Sequence, residues 1–279
     1  MRTLPDLPDL RIVPTDALRP HEYADDQRSG PLAQALRADG VLRNPPVVLA
    51  LGTHPERYVV LDGANRTTAF QRLALPCVVA QVVHAGDSRV RVETWNHVVL
   101  DLTPGELRRR VTETPELALV PSDPERAAYS LSAGGTLAYL ATREGVFDVV
   151  CETEPLDVRL DNLERLVMSY LGNGRVERSN ARAVEHLDQV FPSLAGLFVY
   201  PGFEVEDVIA AAARGRLLPS GLTRFIVSPR ALRLNYPLAR LEAPGDLAAK
   251  QLELETWVRE RVADRRVRFY AEATFLFDE

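Results

Sequence analysis

Apolar residues along this chain fall in short uninterrupted runs, and between the runs they recur at intervals of three and four. The runs read as strands and the intervals as helices. Residues 1 to 9, with two Leu-Pro-Asp steps, predict an extended arm, and Leu10 to Val13 a first strand. After Ser29-Gly30-Pro31, Leu32, Ala35 and Leu36 follow at helical spacing, and Gly40 stops that helix. Val47-Val48-Leu49 and Tyr58 to Leu61 predict two strands around the polar turn Gly52 to Arg57. A helix over about 65–73 carries Ala69, Phe70 and Leu73 on one face; Pro76 ends it, and Val78 to Val83 is a further strand. The first ~100 residues therefore predict a small mixed sheet with two helices, an α+β unit.

The segment Asp101 to Asp123 is Pro-rich and charged, with a helical stretch from Pro104 to Val111. A boundary there divides the chain into domains 1–105 and 106–279, the second an α/β domain packed across a cleft from the first. Beyond it, Thr136 to Ala141 and Phe147 to Cys151 predict a hairpin around Glu144-Gly145. Leu160, Leu163, Val167 and Leu171 give a helix over 157–171, and further helices are expected over 180–190, 205–213 and 252–262, the last amphipathic. Val267 to Tyr270 and Thr274 to Phe277 are apolar and aromatic, suited to closing a sheet or packing the tail.

Composition narrows the class. With 46% hydrophobic and 26% charged residues the chain is expected to be globular. A formal net charge of -6 argues against a nucleic-acid partner. Cys77 and Cys151 stand far apart with no CxxC pair, which speaks against a thiolate zinc site or a disulfide framework and suits a reducing cytoplasm. The first residues lack the apolar core of a signal peptide, and no run of ~18 apolar residues predicts a membrane span. The expected location is cytoplasmic, and nothing in the pattern indicates an oligomeric state.

The segment richest in chemistry runs Tyr58-Val59-Val60-Leu61-Asp62-Gly63-Ala64-Asn65-Arg66-Thr67-Thr68. A strand enters Asp-Gly and passes directly into a helix. The first N–H groups of that helix lack intrahelical partners and carry the positive end of its dipole. Gly63 permits a tight turn and close approach, Arg66 offers a fork of donors, Thr67 adds a hydroxyl, and Asp62 could hold magnesium against phosphates. On chemistry alone two readings stand: a phosphate site, or a helix capped by Asp62 with Arg66 a solvated charge.

The order of elements and the stretch Leu61-Asp62-Gly63-Ala64-Asn65-Arg66-Thr67-Thr68-Ala69-Phe70 resemble the ParB/sulfiredoxin-like superfamily, whose D-G-x-x-R box binds nucleotide phosphates. Sulfiredoxins carry a cysteine inside the box; Gly63, Ala64 and Asn65 exclude that chemistry here. ParB proteins follow the box with a helix-turn-helix, and no recognition-helix pattern follows residue 105. The chain is more similar to the free serine kinases, both the siderophore-pathway and the archaeal type. Leu18-Arg19-Pro20-His21-Glu22, Thr94-Trp95-Asn96-His97, and the block from Pro219-Ser220-Gly221-Leu222-Thr223-Arg224-Phe225 through Arg230 to Asp278-Glu279 carry that resemblance across nearly all 279 residues. One departure is Ala64-Asn65, where related kinases usually show histidines.

The resemblance implies a kinase that phosphorylates free L-serine, or a similar small amino acid, from ADP or ATP with Mg2+. It implies Glu22 as the general base, with Asp62, Gly63, Ala64, Asn65, Arg66 and Thr67 on the phosphates. Trp95, Thr223, Arg224 and Arg230 would bind the amino-acid substrate, and Asp62 would meet the magnesium ion. Without the resemblance, His21-Glu22 reads as a polar loop start, Trp95 as core, His97 as a satisfied structural histidine, and Arg224 and Arg230 as surface charge. The rival function is a non-enzymatic, ParB-like nucleotide-binding regulator of DNA or of a partner protein.

Overall fold

The computed structural model describes residues 7–24, 26–53, 55–151 and 156–270. By Cα proximity the chain forms two units that interleave in sequence. The first comprises residues 1–18, 26–87 and 228–279, the second residues 19–25 and 88–227. The sequence reading places one boundary at 105; here the chain passes between units after Leu18, before Asp26, after Asp87 and after Val227.

The first unit begins with β1 (Leu10–Pro14), a single 3-10 turn (Thr15–Ala17) and β2 (Leu18–Pro20), at whose start the chain leaves. It resumes with α1 (Asp26–Asp39), β3 (Val41–Leu42), β4 (Val47–Ala50), β5 (Tyr58–Asp62), α2 (Ala64–Arg72) and β6 (Cys77–Val83). The sheet order is β1-β6-β4-β5-β2, with β4 parallel to β6 and the pairs β1–β6 and β4–β5 antiparallel. It is the mixed sheet with two helices that the periodicity predicts.

The second unit contains β7 (Val90–Thr94), β8 (Asn96–Leu100), α3 (Pro104–Thr112), β9 (Ala118–Ser122), α4 (Pro124–Ser132), β10 (Ala138–Thr142) and β11 (Gly145–Val150). It continues through α5 (Leu156–Tyr170), β12 (Arg175–Ser179), the short α6 (Leu187–Val190), β13 (Leu194–Val199), α7 (Val205–Ala213) and β14 (Thr223–Val227). Its antiparallel sheet runs β12-β8-β13-β10-β11-β9, and β14 pairs with β7 in a two-stranded ribbon. Helix starts follow local chemistry. Thr103 accepts from Glu106 N at 3.1 Å and Asp123 from Arg126 N at 2.9 Å, each with Pro at the first helical position.

The chain returns to the first unit as β15 (Tyr236–Pro237), α8 (Leu238–Glu242) and α9 (Leu247–Ala263). The apolar face of α9 brings Leu254 and Trp257 into the core formed by Val13, Phe70 and Val79. This is the stripe expected of 252–262, begun earlier because Asp246 caps Ala249 N at 2.7 Å.

Two expectations are corrected. Only 187–190 of the expected helix 180–190 is helical. Its leading carbonyls turn to side chains of β8 and β10 instead: Ala181 O accepts from Asn96 Nδ2 at 2.7 Å and Arg182 O from Tyr139 Oη at 3.0 Å. Val267 to Tyr270 is irregular, with Phe269 and Tyr270 exposed; Thr274 to Phe277 lies outside the described residues. Cys77 and Cys151 are both free thiols. Among the described residues no helix is long and apolar enough to cross a membrane.

Candidate active site

In the first unit the chemistry gathers at the corner between β5 and α2. Gly63 occupies the left-handed region at φ 104°, and an added Cβ would lie 3.0 Å from Arg66 Nε and 3.1 Å from Pro46 Cβ. Both the turn and the close approach of the Arg66 guanidinium therefore require glycine. No side chain caps α2. Asp62 does not act as the cap; its Oδ2 accepts from Nη2 of Arg66 and from Nη2 of Arg230. Arg66 Nη1 also donates to Asn44 O at 3.0 Å, and Asn44 Oδ1 accepts from Arg233 N at 2.8 Å, tying the segment after Pro229 to the corner. Burial alone would raise the Asp62 carboxyl, but the two guanidinium charges and their hydrogen bonds outweigh it and hold Asp62 below the usual carboxylate range. Burial, with the Arg230 charge beside it, lowers Arg66.

The corner thus holds two arginines against one carboxylate. Thr67 is fully buried and its Oγ1 has no hydrogen-bond partner among the described residues; Arg230 Nε is likewise buried and unpartnered. Excess positive charge, uncapped helix amides and orphaned donors suit a phosphate. The box residues Asp62 to Thr67 and Arg230 are brought together here. Ala64 is buried and Asn65 half-buried, and neither side chain carries a charge.

In the second unit, residues 21–23 lie alongside Leu218 through an isolated parallel bridge. Leu218 N donates to His21 O at 2.8 Å and Tyr23 N to Leu218 O at 3.0 Å. This clamp directs the Glu22 side chain at the entry to β14. Glu22 Oε2 accepts from Gly221 N at 3.1 Å and from Thr223 Oγ1 at 3.3 Å. His21 Nε2 stands 2.6 Å from Thr223 Oγ1, and its ring packs edge-on against Phe225 with centroids 5.1 Å apart. The Glu22 side chain retains 14% exposure, so the carboxylate is positioned yet reachable.

The pleat of β14 separates two residues that the sequence places side by side. Thr223 points inward to Glu22, whereas Arg224 is exposed on the other face. There the Arg224 guanidinium lies over the Trp95 ring, 4.8 Å from its centroid, and pairs with Glu93 at 3.6 Å. Trp95 is half-buried rather than core and is pinned by its N–H to Leu222 O at 2.8 Å. Trp95 and Arg224 form one group, Glu22 and Thr223 another.

His21, Asn44 and Gly221 also belong to these clusters and were not assigned roles by sequence reasoning. Their contacts are backbone-mediated or long-range, and only the Pro219-Ser220-Gly221 turn signal marks one of them. His97 is the satisfied histidine expected, fully buried with a partner on each nitrogen. Among the described residues no group of three His, Cys, Asp or Glu side chains could hold a metal. Asp62 is the carboxylate at the β5–α2 corner.

No family model matches the chain. It is 27% identical over 276 residues, 97% of each chain, to the ATP-dependent L-serine kinase SbnI of Staphylococcus aureus. It is 28% identical over 89 residues to the ATP-dependent L-serine kinase of Staphylothermus marinus, about a third of each chain. Among solved structures, a C-terminally truncated SbnI superposes with a TM-score of 0.70 at 24% identity, covering 92% of this chain and 97% of the other. A free serine kinase in complex with AMP gives 0.71 at 16% identity, covering 85% and 95%. The chain therefore has the mixed α/β fold of these kinase structures and is similar to one of them along almost its whole sequence.

Proposed function

We propose that this protein is an ATP-dependent kinase of free L-serine. The observation that carries the reading is the likeness to SbnI over 97% of both chains. The two clusters supply matching chemistry. In the first unit, the α2 amides, Arg66, Arg230 and Thr67 Oγ1 take the nucleotide phosphates. ATP arrives with magnesium. This ion usually binds through one or two carboxylates plus substrate phosphates; Asp62 is the carboxylate that would meet it, and because Arg66 and Arg230 already hold that carboxylate, the phosphates would supply most of the ligands. In the second unit, Glu22 takes the proton from the serine hydroxyl as that oxygen attacks the γ-phosphorus. The new bond joins the serine oxygen to phosphorus, the bond from phosphorus to the β–γ bridging oxygen breaks, and the products are O-phospho-L-serine and ADP. Arg66 and Arg230 offset charge on the transferring group, while Trp95, Thr223 and Arg224 line the amino-acid side. The first unit, with residues 26–87 and 228–279, would then carry nucleotide binding, and the second, with residues 19–25 and 88–227, substrate binding.

The test is direct: incubate the protein with MgATP and L-serine and follow phosphorus NMR. Serine-dependent appearance of O-phospho-L-serine with equimolar ADP is expected. ATP left intact in the presence of serine overturns the reading.

A further inference from the structure

Behind Glu22 lies a buried polar chain that no step above uses. Gly221 sits at φ 83°, which strains any residue with a side chain, and a Cβ there would displace the Arg178 guanidinium 2.6 Å away. Its N–H faces Glu22 Oε2 at 3.1 Å and its carbonyl faces His97 Nε2 at 3.3 Å. His97 Nδ1 is 2.8 Å from Tyr170 Oη, which in turn contacts Tyr200 Oη. His97, Tyr170 and Tyr200 are all buried.

Donor and acceptor roles follow from the ends of the chain. A carbonyl only accepts, so His97 carries its proton on Nε2. Nδ1 then holds a lone pair and accepts from the Tyr170 hydroxyl, whose oxygen accepts from Tyr200. Burial, reinforced by the Arg178 charge, lowers the imidazole to about 4, in keeping with a neutral ring. The rings are braced besides: His97 packs edge-on against Tyr200 with centroids 5.3 Å apart, and Tyr170 stacks on Phe198 at 4.8 Å. A glycine with left-handed torsions is the most pliable residue of its loop. Here the one soft point between Leu218 and β14 is tied on both its polar groups.

We infer that His97, its tautomer set by Tyr170 and Tyr200, is a positioning residue that holds the Gly221 peptide so that its N–H orients the Glu22 carboxylate. His97 touches no substrate; it acts through Gly221. The inference deepens the kinase reading and rests on it for its effect on turnover, but the link from His97 to Gly221 can be observed without turnover.

The experiment compares His97→Leu, which removes the donor, with His97→Gln, whose amide nitrogen can replace Nε2, and Tyr170→Phe, which releases the tautomer. The first readout is the Gly221 amide proton. Labelling with 13C-serine and 15N-glycine leaves two Ser-Gly pairs, Ser29-Gly30 and Ser220-Gly221. In the unsubstituted protein the Gly221 proton is expected downfield, because it faces a carboxylate. It should move upfield in His97→Leu and in Glu22→Ala, and return in His97→Gln. The second readout is kinetic: kcat falls roughly 3- to 10-fold in His97→Leu, as for loss of one hydrogen bond. The KM for ATP stays within about twofold, and His97→Gln recovers kcat. Tyr170→Phe falls between the two. A Gly221 signal unmoved in both His97→Leu and Tyr170→Phe overturns the inference whether or not the protein makes phosphoserine. If His97→Leu does not fold, a His97→Gln kcat as low as that of Glu22→Gln overturns it too. Absence of phosphoserine with a shifted Gly221 signal sinks the kinase reading and leaves the positioning role standing.

Discussion

Arg230 donates to the same oxygen of Asp62 that Arg66 holds, from a position 168 residues farther along the chain. The carboxylate therefore fixes two cations at the start of α2 before any anion arrives. Replacing Arg230 by Ala removes one proposed phosphate donor but leaves Asp62 paired with Arg66. We expect the Kd for ATP to rise ~10- to 100-fold, the worth of one charge-assisted hydrogen bond, with little change in melting temperature. Isothermal titration with ATP and a thermal melt check this; unchanged affinity would remove Arg230 from the phosphate corner.

Asp62→Asn acts differently. It leaves two guanidinium groups facing a neutral amide, and Arg66 is largely buried, with its side chain 18% exposed. Removing one partner of a buried charged pair costs several times what the pair contributed. The expected outcome is a loss of ~2 kcal/mol or more in urea unfolding, partly restored by adding ATP or inorganic phosphate as substitute anions.

Gly63→Ala tests the corner itself. The substituted residue would need φ near 104°, and its Cβ would press on Arg66 Nε and Pro46 Cβ. A destabilisation of ~1–3 kcal/mol is expected, together with weaker ATP binding as the guanidinium is displaced. Chemical denaturation and ATP titration of the same sample measure both.

How much of this was open to reading from sequence depends on distance along the chain. The Gly63 corner was legible because strand run, Asp-Gly and helical spacing lie within thirteen consecutive residues, 58 to 70. The Asp62–Arg230 link and the Glu22–Gly221 bond were not, since each joins segments whose pairing depends on the completed sheets. Residues 180–190 have helical spacing, yet side chains of β8 and β10 claim their carbonyls. Thr223 and Arg224 read as one substrate-binding pair until the alternating faces of β14 divide them. The α4 helix is legible locally though absent from the sequence expectations: Asp123-Pro124 is a cap followed by a first-turn proline, with Ala127 and Leu131 four apart on the buried face.

His97 gives a pH-dependent stability. Its imidazole lies near 4 in the fold against 6.5 when free, chiefly through burial. The folded state resists the proton and the unfolded state accepts it. Stability is therefore complete above pH 6.5, falls as pH drops toward 4, and loses up to about 3 kcal/mol from this group. Urea midpoints should decline across that window, and His97→Gln should flatten the decline. Equal slopes for both proteins would contradict the assignment.

Trp95 and Arg224 make a separate prediction. If the stacked pair borders the amino acid, Arg224→Ala should raise the KM for L-serine a few-fold, as expected for one exposed cation–π contact, with the KM for ATP unchanged. Trp95→Ala should raise it further by removing the wall as well as the stack. Steady-state kinetics with each substrate varied in turn separates the two constants; parallel rises in both would point to unfolding instead.

The role of Glu22 bears the most weight, and one comparison tests it: the rate of O-phospho-L-serine formation from MgATP and L-serine by the unsubstituted protein and by Glu22→Gln. The glutamine keeps the shape and can still accept from Gly221 N, but it cannot take the serine proton. A fall in kcat of ~100- to 10,000-fold with ATP still bound is the predicted result. A Glu22→Gln protein that turns over at the full rate would contradict it.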